Sequence, residues 1–331
     1  MLTIIRVRSL RPFLPISAKY SIFGQEYSNI IADMDFISVS EFAANNNVSE
    51  RTVRNWCASG KINGAFLTGK TWNIPSEASI PARINARAAR ISPLLSRLRE
   101  EKSSSVKGGI YHRTQIDLTY NSNHIEGSRL SHEQTRYIFE TNTIGIADES
   151  VKVDDIVETV NHFRCIDLTI DKAEEKLTEH FIKDLHRILK TGTSDSSKSW
   201  FNVGEYKKLP NEVGGNQTCL PENVHRQMSA LLKEYNSNKE KSLDDIIDFH
   251  KRFEAIHPFQ DGNGRVGRLV MFKECLANGI VPFIITDDLK MFYYRGLQNW
   301  PRIPGYLRDT CLTAQDNYKK ILDYFKISYQ D

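Results

Sequence analysis

The chain has 331 residues, 40% of them hydrophobic and 26% charged, which is the make-up of a water-soluble globular protein with room for two domains. Its net charge of +3 leaves any nucleic-acid contact to a local patch. Five scattered cysteines without CxxC spacing argue against a disulfide framework or a zinc site and fit a reducing cytoplasm, and no apolar run reaches membrane-spanning length.

Residues 1–33 stand apart. "MLTIIRVRSLRPFLPISAKY" carries Arg6, Arg8, Arg11 and Lys19, and no acid precedes Glu26. A disordered tail is expected, or a start placed too early, since Met34 precedes the first well-patterned segment. The basic, acid-poor composition is also that of an organelle transit peptide.

Residues 34–80 read as a small domain. "ISVSEFAANNNVSERTVRNWCASGKING" predicts a helix from about Ser40, a turn at Asn45–Asn46–Asn47, and a second helix capped by Ser49. Phe42, Ala43, Val48, Val53 and Trp56 fall where two crossed helices share a core. "GKTWNIP" (69–75) predicts a small strand or wing. The segment resembles the helix-turn-helix of the excisionase and MerR type, with Asn47 where such turns often carry glycine. The resemblance implies a recognition helix presenting Glu50, Arg51, Thr52, Arg54 and Asn55 to duplex DNA, with Lys70 on the wing. Seven basic against four acidic residues over 34–90 is a mild excess, so a protein-contact module stays open beside the DNA-binding one.

Residues 81–108 read as a connecting helix, broken near Pro93, followed by the linker "SSSVKGG". From 109 to 331 the chain reads as one mainly α-helical domain. "LTEHFIKDLHRIL" (177–189) and "LDDIIDFHKRFEAI" (243–256) repeat apolar residues at helical spacing. Between them, 199–221 breaks that period, and Gly214–Gly215 within it predicts a hairpin or extended flap.

"HPFQDGNGRVGR" (257–268) carries the chemistry. Gly262 and Gly264 permit a sharp turn and a close approach to a ligand. The apolar spacing of the residues that follow opens a helix, whose free amides can meet an anion. Arg265 and Arg268, three apart, can face the same ligand, and two guanidiniums on a helix N-terminus suit a polyphosphate. Asp261 can share Mg²⁺ with phosphate oxygens. His257, at the end of the preceding helix, is a general-base candidate. Phosphate cradle, metal carboxylate and base together point to nucleotidyl or phosphoryl transfer. The loop lacks the GK[ST] of a Walker A motif.

The stretch matches the HPFxDGNGRxxR signature of the Fic family without departure, and the chain resembles that family over about 110–330. The resemblance implies a helical domain that moves AMP from ATP to a protein Ser, Thr or Tyr hydroxyl and releases pyrophosphate. It implies His257 as base, Asp261 on Mg²⁺, Asn263 with the amides of Gly262 and Gly264 on the phosphates, Arg265 on the inner phosphates and Arg268 on the γ-phosphate. "GEYKKLPNEVGG" resembles the family's target-holding flap, with Val213, Gly214, Gly215 and Asn216 beside the nucleotide. Tyr293 and Tyr294 would lie near the adenine, although two tyrosines on a helix also suit core packing.

"SNHIEG" (122–127) fits the family's inhibitory pattern [ST]xxxE[GN], which involves Ser122, Glu126 and Gly127. The resemblance implies that Glu126 pairs bidentately with Arg268 in the seat of the γ-phosphate; a plain helix end capped at Gly127 is compatible with this. The remaining histidines, His186 and His250 among them, read as structural. The expectation is therefore a self-inhibited adenylyltransferase with a DNA-binding module, acting on ATP and a protein target that includes itself. Removal of AMP, transfer of UMP or phosphate, a regulator whose helical domain only senses nucleotide, and a homodimer all stay open.

Overall fold

The computed structural model describes residues 35–46, 48–69, 71–80, 92–145 and 150–329, in two units divided between residues 86 and 87. The expectations for residues 1–33, Asn47, Lys70 and 81–91 lie outside the described residues.

In the first unit, β1 (Phe36–Ile37) leads into α1 (Val39–Asn45) and α2 (Glu50–Ala58). Each helix starts on a serine: the Ser38 hydroxyl accepts from the Glu41 amide and the Ser49 hydroxyl from the Thr52 amide, both at 3.2 Å. A hairpin of β2 (Phe66–Thr68) and β3 (Thr71–Pro75) follows, and β1 pairs antiparallel with β3, Phe36 opposite Pro75. The wing is thus the centre of a three-stranded sheet, a pairing not foreseen from "GKTWNIP" alone. Val39, Phe42, Ala43, Val53, Cys57, Ile62 and Ile74 form the core of this unit.

The second unit is mainly helical, as expected. It opens with α3 (Pro93–Ser103), which starts at the proline rather than kinking there: Ser92 caps it and Pro93 takes the first turn, where a missing N–H costs nothing. For the described residues from 92 on, this replaces the expected break near Pro93 with a helix start. Leu94, Leu95 and Leu98 belong to the main core. The "SSSVKGG" stretch is a tight turn, not a free linker, because buried Glu101 reaches across it to accept from the Tyr111 amide at 2.9 Å.

Next come α4 (Ile110–Ile125), α5 (His132–Thr141), α6 (Val153–Asp171) and α7 (Glu179–Lys190). The flap region holds only a short hairpin, β4 (Glu212–Val213) with β5 (Asn216–Gln217). Gly214 and Gly215, at φ 56° and 77°, form its two-residue turn, which requires positive φ at both positions. Then α8 (Pro221–Tyr235), α9 (Leu243–Ile256), α10 (Asn263–Ala277), α11 (Lys290–Asn299) and α12 (Pro304–Tyr324) complete the unit.

Helix α10 is the axis: it packs against α4, α6, α7 and α9, and nearly every side chain from Asn263 to Leu276 is buried. A helix buried on all sides needs partners for its polar groups. Lys273 finds them in the carbonyls of Ala173 and Glu175 and in Glu274, at 3.1, 2.6 and 2.9 Å. All five cysteines are free thiols, and no described helix is long and apolar enough to cross a membrane.

Helices α11 and α12 meet at Gly296, where an added Cβ would stand 2.7 Å from the Leu307 Cα. Backbone cannot swing aside as a side chain can. Gly296→Ala is therefore expected to destabilise the chain by about 1–3 kcal/mol in chemical denaturation. Gly145→Ala, with open space around it, should stay near wild type.

Candidate active site

Helix α9 ends on His257, whose backbone takes the left-handed conformation (φ 51°, ψ 62°) while its amide still donates to the Phe253 carbonyl at 2.9 Å. That sharp exit throws the chain into the 258–262 loop. Gly262, also left-handed at φ 83°, turns it back into α10. The loop is pinned from inside. Phe259 is fully buried and stacks face to face on His186, ring centroids 4.0 Å apart.

The Asn263 side chain bridges back to Phe259, accepting from its amide at 2.8 Å and donating to its carbonyl at 2.9 Å. This corrects the expectation that the Asn263 side chain meets phosphates. Both of its polar ends are spent on the loop, and the residue is 1% exposed.

His186 is a holding residue that the sequence reading passed over as merely structural. The Gly204 amide donates to its Nδ1 at 2.9 Å, so the proton sits on Nε2, which faces the Asp261 carbonyl at 3.2 Å. Burial first, with Lys190 and Arg265 nearby, pushes the pKa of His186 down to about 3 and keeps the ring neutral.

Around the loop lie two charge clusters. In the outer one, Asp261 Oδ2 accepts from Lys190 Nζ at 2.7 Å and from Arg265 at 3.2 Å. Glu158 of α6 closes the ring, 2.5 Å from Lys190 and paired with Arg265. Although burial opposes ionisation of Asp261, Arg265 and then Lys190 hold its carboxyl well below the ordinary range. Lys190 and Glu158 carried no sequence signal for this site: each reads as a surface charge on an amphipathic helix, yet the lysine side chain is 3% exposed and the glutamate 12%.

In the inner cluster, Arg268 donates through Nη2 to Glu126 Oε1 at 2.7 Å and to the Ser122 carbonyl at 2.9 Å, and through Nε to the Ser122 hydroxyl at 3.1 Å. Glu126 caps the C-terminus of α4, and Gly127 follows at φ 94°. The helix-end and ion-pair readings of "SNHIEG" therefore hold together. One detail is corrected: the pair is made through one carboxylate oxygen rather than two, while Nε and the second Nη2 hydrogen go to Ser122. Burial works against the Arg268 charge, yet Glu126 holds its pKa above the ordinary value.

Gly264 makes the approach possible, since a Cβ there would stand 2.2 Å from Glu126 Oε1. Behind Arg268, Glu254 of α9 keeps Oε1 buried without a partner, and burial followed by the Glu126 charge raises its pKa to about 7.

The tyrosines separate. Tyr293 is 1% exposed and bonded to His250 Nε2 at 2.6 Å, so it belongs to the core behind Arg268 and not to a surface where adenine could stack. Tyr294 is exposed, and its hydroxyl donates to the Ile125 carbonyl at 3.3 Å, next to Glu126. Val213, Gly214, Gly215 and Asn216 are solvent-exposed on the hairpin, whose stem is tied to the loop by Asn211 donating to the Phe259 carbonyl at 3.3 Å.

His257 is half-buried, with Nδ1 covered and Nε2 left as the nitrogen able to accept from outside. Burial first and Lys207 second lower its pKa to about 4, so the imidazole is neutral near pH 7.

On the first unit, Arg51, Arg54 and Asn55 are exposed along α2, while Thr52 is partly drawn into the Ser49 cap at 2.8 Å. Arg54 pairs with Glu50 at 2.9 Å, which halves the free positive charge expected from those two arginines.

Residues 176–275 match the Fic/DOC family. Among curated proteins, the chain is 27% identical over 182 residues to the "Protein adenylyltransferase Fic" of Nematostella vectensis, covering 54% of this chain and 41% of that one. It is 30% identical over 190 residues to the protein of the same name from Aedes aegypti, covering 55% and 36%. The chain thus spans less than half the length of these relatives. In fold, it resembles a Fic-domain-containing signaling protein from Bacteroides thetaiotaomicron, with TM-score 0.52, 24% identity, and 70% of this chain and 90% of that one covered. It also resembles a fragment of Fic-1 from Caenorhabditis elegans, with TM-score 0.56, 19% identity, and coverage of 73% and 74%.

The loop geometry has its own test. Asn263→Ala leaves the buried Phe259 amide without a partner and its carbonyl with Asn211 alone, a loss of about 1–3 kcal/mol. Hydrogen exchange at the Phe259 amide should accelerate accordingly, whereas a rate equal to wild type would mean that the loop is held by other contacts.

Proposed function

We propose that this chain is a self-inhibited protein adenylyltransferase that moves AMP from ATP to a protein hydroxyl. The observation that carries the reading is the contact between Glu126 and Arg268 across 142 residues of sequence, beside a loop that joins His257, Asp261 and Arg265. The names of the curated relatives support the reaction class.

In the proposed reaction, the target hydroxyl comes up to His257 Nε2, and its oxygen attacks the α-phosphorus of ATP. The new oxygen–phosphorus bond forms as the bond to the β-phosphate oxygen breaks. The hydroxyl proton passes to the neutral imidazole, and pyrophosphate leaves. General base catalysis of this kind contributes typically about 10²–10⁴ in rate. In this reading Arg265 and the amides at the start of α10 neutralise the inner phosphates, and Arg268 the γ-phosphate.

The residues present fit a nucleotide-borne Mg²⁺. Asp261 offers one ionised, half-exposed carboxylate, which suits a cation that keeps water and phosphate as its other ligands. No cluster of three or more metal-ligating side chains exists among the described residues to hold an ion alone. Mg²⁺ on Asp261 would offset the charge that develops on the leaving phosphates.

Self-inhibition follows from competition for one guanidinium. While Glu126 holds Arg268, the γ-phosphate has no seat there and ATP binds unproductively. The hairpin β4–β5, exposed and with free edges, suits strand addition by an extended target segment. We further propose that α2 contacts duplex DNA through Arg51, with a weak electrostatic component because Arg54 is internally paired.

Three outcomes test the reading. With labelled ATP, His257→Ala should lose self-labelling by about 10²–10⁴ while still binding nucleotide. Labelling within a few-fold of wild type would remove His257 as the base. Glu126→Gly should raise self-labelling about tenfold to a hundredfold, since a charge-assisted hydrogen bond is worth about 1.5–3 kcal/mol; no gain at saturating ATP would leave "SNHIEG" as only a helix end. For DNA, Arg51→Ala should lower the slope of log affinity against log salt by about 1 on promoter DNA. An unchanged slope would assign the first unit to protein contact.

A further inference from the structure

Three lysines of the second unit are buried, and one is unlike the others. Lys190 has Glu158 and Asp261 against it, and Lys273 has Glu274. Lys207 is 3% exposed, yet no described carboxylate lies within ion-pair distance of it. Its ammonium donates to two neutral oxygens, Asn211 Oδ1 and Thr218 Oγ1, each at 2.6 Å. Burying a cation without a counter-charge is costly, and the burial pulls the Lys207 pKa down to about 8. A neutral side chain would fill the same space more cheaply, so the retained charge calls for an explanation.

The surroundings supply one. Asn211 and Thr218 are the two sides of the stem that carries the β4–β5 hairpin, and the Thr218 amide donates to the Asn211 carbonyl at 3.3 Å. The Lys207 ammonium closes that stem from below. Its backbone amide donates to the Pro258 carbonyl at 2.9 Å, one residue from His257. One residue therefore ties the hairpin stem to the loop, and its positive charge acts on the imidazole.

We propose that Lys207 is a positioning residue of the transfer reaction: it sets the hairpin against the His257 loop, and its charge keeps the imidazole neutral and able to accept a proton. The proposal rests on the reading of His257 as the base. The charged and polar groups that face His257 are Lys207 from the stem, the Glu254 carbonyl of α9, Glu126 at the end of α4, and Asp261 of the loop. The last three all favour the imidazolium. Lys207 alone among them opposes it, together with burial, so its charge is the part of the balance that a substitution can remove.

Lys207→Gln keeps hydrogen-bonding groups for the stem and removes the charge, Lys207→Met removes both, and Lys207→Arg restores the charge. The His257 imidazole is followed by NMR in the full chain as pH is varied, with no substrate present. Wild type should titrate near pH 4, and Gln and Met should move the midpoint measurably upward, with Arg close to wild type. In the Glu126→Gly background, the acid limb of AMP transfer should move with the midpoint. KM for an extended target peptide should rise several-fold in Met but not in Gln.

If Gln and Met titrate as wild type does, the electrostatic role is overturned. If KM is unmoved in Met, the coupling of hairpin to loop is overturned. Absence of any AMP transfer in Glu126→Gly itself would instead overturn the underlying reaction, and the NMR shift distinguishes the two failures.

Discussion

Arg268 is a guanidinium that the fold takes almost wholly out of water, and its charge must be answered by whatever surrounds it. The side chain is 5% exposed. Glu126 and Ser122 come to it from the end of α4, while Glu254 and the Tyr293–His250 pair close the far side. Without nucleotide, a cation in that place would be expensive unless the protein supplied an anion of its own. The internal carboxylate is thus what lets α10 run through the centre of the unit with its two arginines already in position.

The same logic governs the outer cluster. Arg265, Lys190, Asp261 and Glu158 make two cations and two anions in mutual contact, so the site is neutral before anything binds. Under the proposed reaction, electrostatic preorganisation of this kind would spare the protein a large rearrangement, because the groups are held and need only exchange partners. The loop itself contributes rigidity rather than charge. Phe259 and Asn263 bond to each other, and His186 stacks on Phe259 and faces the Asp261 carbonyl, which leaves His257 projecting from a held backbone.

Much of this was legible in the residues. Helix α9 spans the stretch whose apolar spacing foretold it, and the two glycines around Asn263 sit where the chain turns and where Glu126 approaches. Their signals are local, and local physics decides them. The wing was legible only in part, because β1 pairs with β3 across residues that share no short-range pattern. Asn263 was legible as important but not in its role, since an amide serves a phosphate or a backbone equally well.

Tyr293 could have been assigned to the core: it continues the spacing of Leu289, one helical turn before it. Lys190, Glu158 and Lys207 could not. Each is a long polar side chain on an otherwise ordinary stretch, and only the meeting of distant segments buries it.

The central claim is that Glu126 occupies the place of the γ-phosphate on Arg268. Calorimetric affinities for ADP and ATP, in the presence of Mg²⁺, test it without any transfer step. In wild type the two nucleotides should bind about equally, because the third phosphate finds its guanidinium taken. In Glu126→Gly the affinity for ADP should stay the same while that for ATP rises about tenfold or more, the worth of one charge-assisted contact. Equal gains for both nucleotides, or none for ATP, would contradict the assignment of Glu126 to that seat.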